Sequence, residues 1–219
     1  MTRILYLHGL ESGKTPSRSA SPTSATTRRW ARSTAGTKVT HLMARHPFVY
    51  APEIDTEPLV VFLQEHGTRP EGLPPEVLDP LERTGLKALA DFKPDVIVGS
   101  SFGGGLAMHL AHTGAFTGPL VLLAPAGLKL FGIPTVKNRA AIVHGIDDDV
   151  IPITDSFKIM TDSKEGRKLL LTVADGHRLH KALDDGTIDD ALTWATVTEK
   201  LLPRGPRQPQ EHELEFPQP

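Results

Sequence analysis

The stretch KPDVIVGSSFGGGLAMHLA, residues 93–111, decides the reading of this chain. A proline that stops one helix is followed by a short Val/Ile run, then by Gly99, Ser100, Ser101, Phe102 and Gly103 in the pattern GxSxG, then by a glycine-rich start to a new helix. A sharp strand-to-helix turn of this kind lifts the middle serine clear of a sheet, and small residues on both sides let the turn close. Ser101 is therefore a candidate nucleophile. The plainer alternative is a glycine-rich turn whose serine only caps the helix, a common use of serine.

Working outward, similar short apolar runs alternate with helical patterns, as in a mainly parallel sheet with helices on both faces, which makes the fold class α/β. Strands are predicted at Ile4 to Leu7, Phe48 to Tyr50, Val96 to Val98, Leu120 to Leu123, Ala140 to Val143 and Leu169 to Val173. Asp79 and Pro80 read as the cap and first residue of a helix carrying Leu81, Gly85, Ala88, Leu89 and Phe92. Thr56 and Gly67 bracket a second helix, and Asp189 is placed as the cap of the last one. Residues 1–202 are expected to form a single domain interrupted by a Ser/Thr/Arg-rich insertion at about 16–35, with residues 203–219 a proline- and glutamine-rich disordered tail.

Composition excludes several classes of function. The 24 basic and 26 acidic residues leave a net charge of −2, so no global field attracts nucleic acid or an anionic membrane. With 0 cysteines, thiolate nucleophiles, disulfides and Cys-ligated zinc are all ruled out. No run approaches the roughly 18 consecutive apolar residues of a membrane span, and the chain is expected to be cytoplasmic. His177 and His180 could form a metal pair if helical, but no third ligand stands nearby, so neither metal nor cofactor is expected.

The opening LYLHGLESGKTPS, residues 5–17, admits two readings. Gly13, Lys14 and Thr15 suggest a phosphate-binding loop, but that motif needs another glycine with four residues between, and His8 stands there. Pro16, Pro22 and a Ser/Thr-rich run then give no apolar helical stripe to follow the loop. A strand ending in a backbone-donating loop at His8, Gly9 and Leu10 fits better, with His8 satisfying loop backbone and His144 serving likewise elsewhere.

A serine is inert at neutral pH without a base, so the nucleophile reading demands a histidine and an acid later in the chain. AAIVHGIDDDVIP, residues 140–152, puts Asp148 just past one strand, and LLLTVADGHRLH, residues 169–180, puts His177 just past the last. All three then project from the carboxyl ends of parallel strands.

With LHGLESG, GSSFGG, HGIDDDVIP and DGHRLH in that order, the sequence resembles the α/β-hydrolase family, and within it the small, lidless YqiA-like serine esterases. The resemblance implies the α/β-hydrolase fold without a large lid domain, because only APAGLKLFGIPTVKNR separates the fourth and fifth strands. It implies a small-molecule acyl ester or thioester as substrate, with Ser101 as nucleophile, His177 as base and Asp148 as the acid orienting it. It also implies an oxyanion hole from the backbone N–H groups of Leu10 and Phe102. Within the triplet Asp147, Asp148 and Asp149, the register of the family motif selects Asp148. The alternative functions are a hydrolase-fold binding module without turnover and, remotely, a nucleotide-binding protein.

Overall fold

Runs such as ILYL and LVLL have no polar side to turn to water, so they are stable only where helices cover both faces of the sheet. The structure, a computed structural model, describes residues 1–10, 36–69, 71–162 and 165–197, and it contains such a sheet. Its strands are β1 (Ile4–Leu7), β2 (Val49–Tyr50), β3 (Val96–Ser100), β4 (Leu120–Leu123), β5 (Ala140–Gly145) and β6 (Lys168–Val173). All pairings are parallel, in the order β2-β1-β3-β4-β5-β6. The 16–35 insertion, the Gly13-Lys14-Thr15 segment and the 203–219 tail lie outside the described residues.

Alternate strand residues feed two separate cores. Leu5, Leu7, Ile97, Leu120, Leu122 and Ile142 meet α2 (Glu57–His66), α3 (Pro75–Phe92), α4 (Phe102–His112), α5 (Gly127–Phe131) and α6 (Ile153–Asp162) on one face. Ile4, Tyr6, Val98, Val121, Leu123 and Val143 meet α1 (Thr37–Arg45), α7 (His180–Asp184) and α8 (Thr187–Thr196) on the other. Chain order reverses direction beside β1, with β2 on one side and β3 on the other, and that is where open α/β sheets form a crevice at their carboxyl edge. Between β4 and β5 stands only the five-residue α5, so no lid domain interrupts the sheet there.

Two helix starts differ from the sequence expectation. Helix α3 begins at Pro75, behind Pro74, so Pro80 lies inside it and not at its first position. An interior proline removes one helical hydrogen bond. The buried stripe of Val77, Leu81, Gly85, Ala88 and Phe92 outweighs that loss, and Thr84 Oγ1 donates to the Pro80 carbonyl at 3.0 Å. Asp189 does not cap α8, which starts behind Gly186 at φ 83°. Its carboxylate instead faces His41 Nε2 at 3.0 Å and Arg45 Nε at 3.4 Å, tying α8 to α1 on the same face of the sheet.

Helix α4 crosses close to the end of β1. A Cβ placed on Gly103 would lie 2.1 Å from the Leu7 carbonyl oxygen and 2.6 Å from that of His8, both backbone atoms that cannot swing away. Gly103→Ala is therefore expected to lower unfolding free energy by about 3 kcal/mol or more in urea titration. Gly114→Ala, at φ 78° with nothing within 4 Å, should cost only about 1 kcal/mol. Equal costs would contradict this packing.

Candidate active site

Ser101 occupies the turn between β3 and α4 with φ 53° and ψ −117°, a conformation that an L-residue adopts only at a cost of about 1–3 kcal/mol. Neighbouring backbone holds it there. Its N–H donates to Leu123 O at 2.8 Å, and its carbonyl accepts from Gly105 N and Ala126 N, each at 3.0 Å. Although it stands at the cap position of α4, its hydroxyl makes no capping bond. The hydroxyl lies 2.9 Å from His177 Nε2, which decides between a helix-capping serine and one paired with a histidine.

Two further loops bring the partners. Asp148 follows β5 and His177 follows β6, and His177 Nδ1 lies 2.8 Å from Asp148 Oδ2. The loops touch directly. Gly145 has no room for a Cβ, which would fall 2.2 Å from the Asp175 carbonyl, and Asp147 N donates to that same carbonyl at 3.1 Å. Asp175 was not singled out in the sequence, yet it shapes the histidine loop. Its Oδ1 accepts from Gly176 N at 2.8 Å and its Oδ2 from Lys181 N at 2.6 Å, which fastens the loop to the start of α7. An acid two residues before a loop histidine and six before a helical N–H was the available signal, of the kind that marks a helix start.

The Asp148 side chain is fully buried. Its Oδ1 accepts from Val150 N at 2.9 Å and Ile151 N at 2.8 Å, and its Oδ2 faces His177 Nδ1 and, at 3.2 Å, His144 Nε2. Burial alone would raise this carboxyl, but the Ile151 N–H, His177 and the Val150 N–H together hold it below the ordinary aspartate range. It is ionised at neutral pH. Asp147 and Asp149 are both exposed, and neither takes the place of Asp148 beside His177. His144, wholly buried, is pushed down by burial against the opposing pull of the Ile151 carbonyl and Asp148, so its ring is neutral. His8 Nδ1 bonds the Gly9 carbonyl at 2.9 Å, in keeping with a structural loop histidine.

Comparison with known proteins adds a fold-level finding. No protein-family model and no curated protein sequence matches the chain. Among solved structures, a proposed hydrolase of the alpha/beta superfamily from Xanthomonas campestris pv. campestris is similar with a TM-score of 0.59 and 19% identity, over 90% of this chain and 98% of that one. An alpha/beta hydrolase enzyme from the metagenome of Mar Chica lagoon sediments gives 0.55 and 16%, over 88% and 90%. The esterase domain of a Rhodothermus marinus protein gives 0.52 and 12%, over 89% and 86%. This chain has the α/β-hydrolase fold.

In that fold Ser101 and His177 border a cavity of about 1080 Å³, whose lining also includes His8, Gly9, Leu10, Leu130 and Val150. Leu10 enters it from the loop after β1. Phe102 opens α4, so its N–H has no carbonyl one turn back to bond. His180 is exposed at the first position of α7, and His177 precedes that helix, so the pair does not share a helical face. Among the described residues, no group of three or more His, Asp or Glu is placed to hold a metal ion, and no helix is long and apolar enough to cross a membrane.

The neutral His144 has a consequence for stability. Between the value near 6.5 where an ordinary histidine titrates and its own lower value, the unfolded chain binds a proton that the folded chain refuses. Stability is therefore lost as pH falls through that window. Asp148, lowered instead, gives stability that is present above the ordinary aspartate range and lost only at more acid pH. Melting temperature followed from pH 7 down to about 5 should fall more steeply for the natural chain than for His144→Gln. Parallel curves would contradict a buried neutral imidazole.

Proposed function

We propose that this protein is a serine hydrolase that cleaves a carboxylic ester or thioester through an acyl-enzyme intermediate. The carrying observation is the unbroken line of contacts Ser101 Oγ to His177 Nε2 at 2.9 Å and His177 Nδ1 to Asp148 Oδ2 at 2.8 Å, with a serine hydroxyl that caps nothing. With Nδ1 facing a carboxylate, the imidazole carries its proton there and leaves Nε2 free to accept the serine proton.

In this reading Ser101 Oγ attacks the acyl carbon while its proton passes to His177 Nε2. The Leu10 and Phe102 N–H groups donate to the oxyanion that forms, at the N-terminus of α4, where the helix dipole also favours negative charge. His177 then gives the proton to the departing alcohol or thiol. A water, deprotonated by His177, attacks the acyl carbon, Ser101 Oγ leaves with the returning proton, and the carboxylic acid is released. Asp148 holds the imidazole and balances its transient positive charge without taking the proton.

A fluorophosphonate probe should label Ser101, and labelling should vanish in Ser101→Ala and nearly vanish in His177→Ala, while His180→Ala keeps it. Probe retained on Ser100 would overturn the assignment. In a panel of p-nitrophenyl esters and thioesters, Asp148→Asn should lower turnover by about 10² to 10⁴ through the wrong histidine tautomer. Asp147→Asn and Asp149→Asn should each cost less than about tenfold. A protein that binds such esters but turns none over, with an unlabelled Ser101, would be a binding module instead.

A further inference from the structure

His144 is the fifth residue of β5, four before Asp148, and its side chain is fully buried between that strand's end, the turn at Asp148 to Ile151, and α6. Its Nε2 faces two acceptors, the Ile151 carbonyl at 3.0 Å and Asp148 Oδ2 at 3.2 Å, so the ring proton belongs on Nε2. Nδ1 is then an acceptor, and its partner is the Ser156 hydroxyl at 2.6 Å, itself fully buried on α6. The serine can donate there because an N–H at Nδ1 would leave Nε2 with a lone pair against two oxygens. The two acceptors thus set the tautomer, and the Ser156 hydroxyl supports it by donating to the nitrogen opposite.

Both sides of Ile151 are consequently pinned. Its carbonyl takes the His144 Nε2–H, while its own N–H donates to Asp148 Oδ1 at 2.8 Å. The turn cannot rotate without breaking one of these bonds, whose side-chain partners His144 and Asp148 are wholly shielded from solvent. The donor edge of His144 also lies beside Oδ2, the oxygen that receives His177. We infer that His144 and Ser156 form a positioning pair for the acid, aiming Asp148 at His177 through the clamped Ile151 turn.

Neutrality matters because Asp148 has one negative charge and two imidazoles within 3.2 Å. A cationic His144 would compete with the His177 imidazolium for that charge at the moment of proton transfer. Burial of the ring opposes this. A histidine that merely fills space under β5 would affect folding alone, whereas a positioning residue acts through Asp148 and has no effect once Asp148 has lost its charge. The inference rests on the serine-hydrolase reading above, and the two can fail separately.

The test is a set of kcat, KM and melting measurements on the best ester for His144→Leu, His144→Gln and Ser156→Ala, each in the natural chain and with Asp148→Asn. His144→Leu should lower kcat about tenfold or more with KM changed less than about twofold, and His144→Gln, whose amide N–H can reach the Ile151 carbonyl, should recover most of it. Ser156→Ala should lower kcat by roughly threefold, and in the Asp148→Asn background all three substitutions should cost less than about twofold. Should His144→Leu not fold, the same coupling between Ser156→Ala and Asp148→Asn decides. Equal kcat losses in both backgrounds, or losses confined to KM or melting, would overturn the positioning role while leaving the hydrolase reading intact. Absence of any turnover dependent on Ser101 would overturn the hydrolase reading and this inference with it.

Discussion

The backbone of Ser101 sits at φ 53° and ψ −117° because the chain on every side of it leaves no other course. Strand β3 is paired between β1 and β4, so its end cannot shift, and α4 must turn back at once to cover the sheet. That return brings Gly103 against the carbonyls of Leu7 and His8, a distance only a residue without Cβ permits. Bonds from Leu123, Gly105 and Ala126 then hold the strained residue. The strain costs about 1–3 kcal/mol and is met by burial of Phe102, Leu106, Ala107 and Met108 beneath it. A serine so held has its hydroxyl turned away from the helix it begins, toward the edge where the other loops end.

From that edge the rest of the site follows by parallel topology. Strands β1, β3, β5 and β6 all finish on the same side, so the loop at Leu10, Ser101, Asp148 and His177 converge without any long excursion of the chain. Convergence alone would leave a buried carboxylate short of partners, which is costly. Here the turn at Val150 and Ile151 supplies two N–H groups, and His177 and His144 face the second oxygen. The acid loop and the histidine loop are in turn locked by the contact of Gly145 with the Asp175 carbonyl.

The parts legible in the sequence are those fixed by local chemistry. Apolar runs buried on both faces can only be inner strands, so Ile4–Leu7 and Leu120–Leu123 stand where the sequence puts them. Strand ends were less legible. Gly99 and Ser100 complete β3, and His144 and Gly145 complete β5, because pairing with a neighbour extends a strand beyond its apolar run. Asp79 and Pro80 look like a helix start, but the stripe from Val77 to Phe92 buries more surface by beginning at Pro75. Asp189 looks like a cap, and its carboxylate is instead used by His41 and Arg45 of α1, on the same face of the sheet. Such long-range partners leave no trace in local spacing. The same holds for the contact between His144 and Ser156, twelve residues apart on different elements, and for the tethering of Asp175 to α7.

The proposed function makes a specific chemical claim, that an acyl group passes through Ser101 Oγ. Rapid mixing with a p-nitrophenyl ester followed by acid quench and mass spectrometry tests it most directly. The account predicts a burst of p-nitrophenol of about one equivalent per chain when deacylation is slow, matched by an acyl adduct on the peptide containing Ser101. Turnover with no covalent adduct, or with the adduct on any other residue, would contradict it.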